Sequence, residues 1–406
     1  MSSSMNTPVR IAEPIYLLSR TGLAPNNGTS VQLARILAGN EQSVVHLLWD
    51  TAEGGADSVP YSVVVEDPVD YEWPFRRGKG LYARVRHTLR LGWWAGDLIN
   101  VQRLKRHLAP FPISPQLAYV ICMREWDARK ILALWRAVGR PDYVLHVMDL
   151  FHQELSESDT PRFVELIRRA RHVACISALI EDQMKRSGAR STTIVPCCTS
   201  FAATARPPLQ FPLRLVITGT IWNEYDNNSA MTIFVEAWEE IRRRFPGVQL
   251  HYAGNTGDRL PAALKKDVVN HGLISPEACE QLLRECHIAY LPVSHPHNTV
   301  GRFSVPSRIA DYFACGLPVI TCTEEGTGIS SFMKTAPVTC SANVHDARTL
   351  VDAIAQFASN PELWAAASRE AAEFATRRLS VAGVSNELFT LLNHTGKARV
   401  AEPVYS

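Results

Sequence analysis

The sequence predicts an α/β fold with two doubly wound, Rossmann-like domains. Three observations support this class. Short apolar runs alternate with helical stretches along most of the chain, the first run is followed by a glycine-containing loop and a helix, and the alternation restarts at residue 214 after a proline-rich segment. Apolar runs without alternating polar residues are typical of parallel strands whose two faces are both covered. A chain of 406 residues is long enough for two or three domains.

The composition excludes several classes of protein. A formal net charge of +2 carries no general signal for a polyanion, so no nucleic acid partner is expected. The nine cysteines are odd in number and include no Cys-x-x-Cys pair, which argues against a disulfide framework and against a zinc site. We find no apolar run of about 18 residues that would predict a spanning helix, and residues 1–14 lack the apolar core of a signal peptide. A cytoplasmic, reduced location is therefore expected.

The first domain is predicted over residues 1–205 and begins with a strand at 14–18. The next loop contains Gly22 and Gly28, which permit close approach of the backbone to a ligand, and Thr29 is predicted to cap the following helix. The loop lacks a Gly-x-Gly-x-x-Gly sequence, so a nicotinamide cofactor is not expected. Further strands are predicted at 44–49, 61–65, 118–123, 143–148, 172–177 and 192–195.

Asp149 and His152 follow one of these strands. The carboxyl end of a parallel strand is where ligand-binding groups lie in open α/β sheets, so both residues are candidates for a ligand site. The sequence does not choose between them. The alternative, a loop-capping carboxylate and a surface histidine, stays open.

The second domain is predicted over residues 206–380, after a linker at 201–212, and the residues from about 380 to 406 are predicted to pack back on the first domain. Gly219 ends the first strand of this domain and is a candidate for binding a ligand through its backbone. Strands are predicted at 214–220, 248–254, 268–272, 288–293 and 318–322.

Residues 304–320 form the most informative stretch of the sequence. Pro306 suits the first turn of a helix, where its missing N–H is not needed. Gly316 suits the position after the helix end, and Pro318 prevents continuation into the next strand. These residues predict a loop, a helix that begins near Pro306 and a buried strand.

The start of this helix is predicted to bind an anion. Free N–H groups at a helix start favour phosphate, and Ser304, Ser307 and Arg308 lie beside them. Asp311 follows Arg308 by one turn, so a carboxylate for a ribose diol would lie next to cations for phosphates, together with Arg302 from the preceding loop. The combination is typical of a nucleotide site. The alternative is an ordinary helix–strand unit with a surface ion pair.

The segment resembles the donor-binding motif of GT-B glycosyltransferases, especially a retaining bacterial group with the pattern Ser-x-Pro-Ser-Lys-x-x-Glu-Tyr. Arg308 stands at the lysine and Asp311 at the glutamate. Many relatives carry a further glutamate eight residues before this acid, and Phe303 occupies that position here. The resemblance implies two Rossmann-like domains that face each other across a cleft, with the acceptor on the first and the nucleotide-sugar donor on the second.

The activity implied by the resemblance is transfer of a sugar from a nucleotide-diphosphate sugar to an acceptor hydroxyl, with retention of anomeric configuration. Arg302 and Arg308 would then stabilise the leaving diphosphate, and Asp149 or His152 would face the sugar. Neither a metal nor another cofactor is expected, because cationic side chains take that part. Two alternatives remain: a nucleotide-sugar epimerase of the same fold, and a non-catalytic scaffold.

A basic segment begins at Arg76 and ends at Arg106. It holds nine Lys or Arg residues and one acid, Asp97, together with two tryptophans, and its middle part is amphipathic when drawn as a helix. This pattern predicts contact with an anionic membrane surface. Such a basic run could also suit nucleic acid, but that partner is not expected because the formal net charge is only +2. A surface helix packed on its own domain explains the pattern equally well. Membrane contact would suit a glycan or lipid-linked acceptor in polysaccharide or glycolipid assembly, with the protein peripheral at the inner face.

Overall fold

The structure is a computed structural model that describes residues 9–20, 28–48, 61–64, 115–122, 127–150, 160–204, 206, 209–221, 229–255, 257, 260–293 and 302–397. It confirms the predicted fold class. Two separate sheets, each built from parallel strands, are arranged in sequence, and helices connect most of the strands.

The first sheet has seven parallel strands in the order β3-β2-β1-β4-β5-β6-β7. The strand residues whose side chains are described are mostly apolar and buried, except in the edge strand Thr192–Ile194, as expected for a sheet covered on both faces. The elements are β1 (Ile15–Ser19), α1 (Gly28–Leu37), β2 (Val44–Leu48), β3 (Tyr61–Val64), β4 (Leu117–Cys122), α2 (Ala128–Ala137), β5 (Asp142–Val147), α3 (Pro161–Arg169), β6 (His172–Cys175), α4 (Ala178–Arg186) and β7 (Thr192–Ile194).

The second sheet has six parallel strands in the order β10-β9-β8-β11-β12-β13. Its elements are β8 (Arg214–Thr218), α5 (Ser229–Arg244), β9 (Gln249–Ala253), β10 (Val268–Asn270), α6 (Pro276–Glu285), β11 (Ile288–Leu291), α7 (Arg308–Ala314), β12 (Val319–Thr321), α8 (Gly328–Met333), β13 (Ser341–Asn343), α9 (Ala347–Ala358), α10 (Pro361–Phe374) and α11 (Val381–Lys397). A π-helical turn, Ala375–Leu379, separates α10 from α11.

Strand order determines where each sheet can bind a ligand. In both sheets the order reverses beside the first strand, between β1 and β4 and between β8 and β11. Doubly wound sheets bind ligands in the crevice outside the carboxyl ends of the strands at this point of reversal. In the second sheet, that point lies at Thr218 and Gly219, directly after β8.

The helix after the motif loop starts later than predicted. α7 begins at Arg308, and Pro306 precedes it in a turn in which its carbonyl oxygen accepts a hydrogen bond from Ile309 N at 3.1 Å. The hydroxyl of Ser177 in the first domain donates to the carbonyl oxygen of Phe303, so the segment before the turn is hydrogen-bonded to the first domain. α7 is only seven residues long, and its aligned peptide dipoles are correspondingly few. The cationic side chains therefore contribute more to the binding of an anion here than the helix start does.

Two further details differ from the sequence analysis. Thr29 lies inside α1, which already begins at Gly28, rather than capping it. β13 was not predicted, because Ser341–Asn343 has neither β-branched residues nor an apolar run. Such differences of one or two residues at an end, or a missed edge strand, leave the topology unchanged.

The chain passes between the two domains at two neighbouring points. Thr199 and Ser380 form a parallel β-bridge, in which Thr199 N donates to Leu379 O at 2.8 Å and Val381 N donates to Thr199 O at 3.2 Å. After this bridge, α11 returns to the first domain, where its apolar face joins the same hydrophobic core as β1 and β4. The two segments that connect the domains are therefore hydrogen-bonded to each other.

In the part of the chain that the structure describes, no helix has both the length and the apolar composition needed to cross a membrane. The basic segment from Arg76 to Arg106 lies outside the described residues. Its contact with a membrane stays a prediction.

Candidate functional site

Arg308 lies at the carboxyl end of β8, at the point of reversal of the second sheet. Its Nη1 donates to the carbonyl oxygens of Thr218 and Thr220, at 2.5 and 3.2 Å. Its Nε is shielded from solvent and has no hydrogen-bond partner among the described residues. Burial lowers the pKa of Arg308, and among the described residues no carboxylate forms an ion pair with it. The described residues therefore leave the positive charge of this site without a neutralising carboxylate.

Gly219 makes room for this guanidinium. Its φ of +83° is in the left-handed region, and a Cβ added at this position would lie 2.6 Å from Arg308 Nη1. The turn is also held by two tyrosines. Tyr312 OH accepts a hydrogen bond from Thr218 N at 2.8 Å, and Tyr252 OH donates to the Gly219 carbonyl oxygen at 2.8 Å. The turn after β8 is thus fixed around the Arg308 side chain.

Arg302 provides a second positive charge next to the motif. Its guanidinium carbon lies 5.6 Å from the centre of the Phe303 ring, within the range of a cation–π contact. Within the described part of the chain, Arg302 forms no ion pair. Two arginines of the motif region are therefore without an acidic partner there.

Asp149 contacts the second domain through Ser304. Asp149 follows β5 in the first domain, and the Ser304 hydroxyl donates a hydrogen bond to its carboxylate. The structure thus brings together two of the predicted site residues, one from each domain. Ser307 precedes α7 without making a side-chain capping bond. Gly28 is the first residue of α1, whereas Gly22 and His152 lie outside the described residues.

Asp311 lies at the junction of the two domains. The Thr199 hydroxyl donates to its Oδ1 at 2.6 Å, and Arg35 Nη1 from α1 lies 3.2 Å from the same oxygen. The side chains of Arg35 and Asp311 are 11% and 16% exposed. Burial is the largest influence on the carboxylate and raises the pKa of Asp311, while Arg35 and Thr199 oppose the rise. Protein groups therefore already occupy the carboxylate that was predicted to bind a ribose.

Arg35 also fixes the chain just before the domain junction. Its Nη1 donates to Cys198 O at 2.9 Å, and Gln32 bonds to both the N–H and the carbonyl of Cys198, at 2.7 and 3.0 Å. The sequence analysis missed Arg35 and Gln32. Their spacing in α1 contains no signal for a partner that lies 163 or more residues away.

The structure describes no ready metal site. Among the described residues, no group of three or more His, Cys, Asp or Glu side chains could hold a metal ion. Independence from a metal stays a prediction of the sequence analysis.

The second domain is similar in sequence to a known family of transferases. Residues 212–360 match the family model described as "Glycosyl transferases group 1". No curated protein matches the chain by sequence.

Several solved structures share the fold over nearly the whole chain. Sucrose-phosphate synthase from Thermosynechococcus elongatus is 15% identical at a TM-score of 0.66, with 95% of this chain and 100% of that chain covered. HepE from Anabaena, solved in complex with UDP and glucose, is 14% identical at a TM-score of 0.64, with 94% and 99% covered. A glycosyltransferase from Rickettsia africae is 10% identical at a TM-score of 0.63, with 94% and 98% covered.

At such low identities these likenesses show the fold alone, which is the GT-B arrangement of two Rossmann-like domains. The match of the second domain adds the activity class. The fold and the matched domain together support the class of enzyme that the motif predicted, a glycosyltransferase.

Proposed function

We propose that the protein moves a sugar from a nucleotide-diphosphate sugar to an acceptor hydroxyl, and that Arg308 and Arg302 bind the diphosphate. The observation that carries this proposal is the unneutralised Arg308 at the point of reversal of the second sheet. A cation withdrawn from solvent without a counter-ion costs free energy, and a bound anion removes that cost. A diphosphate supplies the charge and matches the planar donor geometry of arginine.

The proposed reaction uses these cations at the leaving group. The bond between the anomeric carbon and the diphosphate oxygen breaks, and its electron pair stays on that oxygen. Arg308 and Arg302 stabilise the developing negative charge, which is the type of contribution that preorganised donors make. The acceptor hydroxyl oxygen forms the new bond to the anomeric carbon, and its proton passes to the leaving diphosphate. Retention of configuration belongs to the proposal because the motif resembles that of a retaining group.

The first domain is proposed to bind the acceptor. Asp149 accepts a hydrogen bond from Ser304 of the second domain. Among the described residues, it is the candidate for contacting the sugar or the acceptor hydroxyl. Asp311 keeps its proposed role beside the ribose only if the ribose hydroxyls share the carboxylate with Arg35 and Thr199, or displace them. Ser307 and the Gly219 backbone complete the proposed donor site.

Donor turnover by the purified chain tests the proposal. UDP is the first probe, since the HepE structure holds UDP and glucose. We expect UDP to raise the melting temperature, because a ligand that binds only the native state stabilises it. We also expect release of nucleoside diphosphate from a panel of nucleotide sugars to depend on an added acceptor. Conversion of the donor without any acceptor would identify an epimerase, and binding without release would identify a scaffold.

A membrane-associated acceptor is a further part of the proposal. It is supported by the basic, tryptophan-containing sequence between Arg76 and Arg106. We expect the protein to float with liposomes that contain anionic lipid and to stay behind with neutral liposomes, because the attraction is electrostatic. Equal flotation with both, or none with either, would contradict it.

A further inference from the structure

Phe303 belongs to the core of the first domain, although it lies in the chain of the second. It is 3% exposed, and its ring packs in the hydrophobic cluster that contains the strands of the first sheet. Two hydrogen bonds hold the backbone around it. Ser177 Oγ donates to Phe303 O at 2.7 Å, and Cys197 Sγ lies 3.5 Å from Val305 O. The ring is therefore positioned by the first domain.

Arg302 is positioned by that ring. The cation–π contact with Phe303 is the contact that the structure gives to its guanidinium, which is otherwise partly exposed and without an ion pair among the described residues. An arginine side chain has many rotamers, and fixing one of them costs conformational entropy. A ring that is already held in place therefore lowers the entropy lost when Arg302 binds an anion.

The chemistry of position 303 matters for the same reason. A glutamate at this position would place a negative charge next to Arg302 and would compete with an anionic ligand for its guanidinium. A phenyl ring orients the guanidinium through its quadrupole and leaves the charge available. Phenylalanine at position 303 thus favours the binding of a doubly charged group at Arg302.

We propose that Phe303 is a positioning residue that carries Arg302 into place for a diphosphate. The cation site of the second domain is complete only while the Phe303 ring is seated in the first domain. This proposal rests on the proposed function, since the anion is the diphosphate of the donor. Phe303 acts through Arg302 and contacts neither the donor nor the acceptor.

The test is a double-mutant cycle on diphosphate affinity. Phe303→Leu keeps an apolar side chain in the core but removes the ring, and Arg302→Met removes the cation. UDP and inorganic pyrophosphate serve as probes, and uridine serves as a probe without phosphate. We expect Phe303→Leu to weaken UDP and pyrophosphate binding about two- to five-fold, the effect of losing one cation–π contact, and to leave uridine binding unchanged. In the Arg302→Met background, Phe303→Leu should have no further effect.

Phe163→Leu is the matched control. Phe163 is a buried phenylalanine of α3 in the same hydrophobic core, whereas the ring that Arg302 contacts is that of Phe303. It should lower the melting temperature as Phe303→Leu does, without changing the affinity for UDP. Equal loss of affinity in both variants, or additive effects of Phe303→Leu and Arg302→Met, would overturn the proposal. Failure of the unmodified protein to bind any nucleoside diphosphate would instead overturn the proposed function, and this inference with it.

Discussion

Replacing Arg308 with methionine is expected to lower the rate of sugar transfer by a factor on the order of 10²–10³. The guanidinium is the donor that the turn after β8 holds closest to the point of reversal, and methionine keeps much of its volume without its charge. The loss should appear mainly in kcat, because the charge on the leaving diphosphate is larger in the transition state than in the bound donor. Steady-state kinetics with the donor identified by turnover would measure it.

Arg206→Met is the matched control for this variant. Arg206 is also partly buried, donates through Nη1 to a backbone carbonyl, that of Leu283 at 2.7 Å, and has an unpartnered Nε. Arg206 contacts Gly316, which precedes β12, and α6, which precedes β11. It therefore lies near the amino ends of the strands of the second sheet, whereas Arg308 lies near their carboxyl ends. Both variants should lose stability, and only Arg308→Met should lose catalysis. A rate for Arg308→Met within a few-fold of the unmodified enzyme would contradict the diphosphate site.

Replacing Arg35 with methionine is expected to lower the free energy of unfolding by about 3 kcal/mol at neutral pH, the scale for removing one partner of a buried ion pair. Among the described residues, the variant leaves the Asp311 carboxylate at the domain junction with the Thr199 hydroxyl as its partner. Denaturant titration across a range of pH would measure the loss. Arg136→Met is the control, since Arg136 is 40% exposed and its pair with Glu165 lies within the first domain. That change should cost no more than about 1 kcal/mol.

The pH dependence of the Arg35 variant follows from the direction of the pKa shift. Burial already raises the pKa of Asp311 above its unfolded value, and loss of the opposing Arg35 charge raises it further. Between the unfolded and folded pKa values the native state binds the additional proton, so stability falls as the pH rises through this window. The deficit of Arg35→Met should therefore be smallest in acid and complete above the raised pKa. Adding Asp311→Asn should remove the pH dependence, and a deficit that does not vary with pH would contradict the pairing.

Local patterns predicted most of the fold. The runs that became β1, β4 and β8 are largely apolar stretches, and those of β1 and β8 are followed by glycine-containing loops. Such stretches are typical of buried parallel strands. Gly219 and Arg308 were both identified from the sequence as parts of the site, because glycine at a strand end and arginine at a helix start have local physical meanings. Their direct contact was not predicted, since a sequence contains no distances.

Contacts between the domains could not be predicted in the same way. Arg35 and Asp311 are 276 residues apart, and α1 reads as an ordinary amphipathic helix. Phe303 was noted only as the absence of a glutamate. Its position in the core of the first domain, beside the hydrogen bond from Ser177 to its carbonyl, joins residues that are 126 positions apart in the sequence.

The bridge between Thr199 and Ser380 makes residues 200–379 an insert whose two ends adjoin. Inserts of this kind can be exchanged as one block, because a graft needs a single junction in space rather than two distant ones. On the proposed division of roles, a transplant of this block would change the sugar that is transferred and leave the molecule that receives it unchanged. A compatible recipient must supply the equivalents of Arg35 and Ser177. These two side chains of the first domain bind Asp311 and the Phe303 carbonyl of the transplanted block.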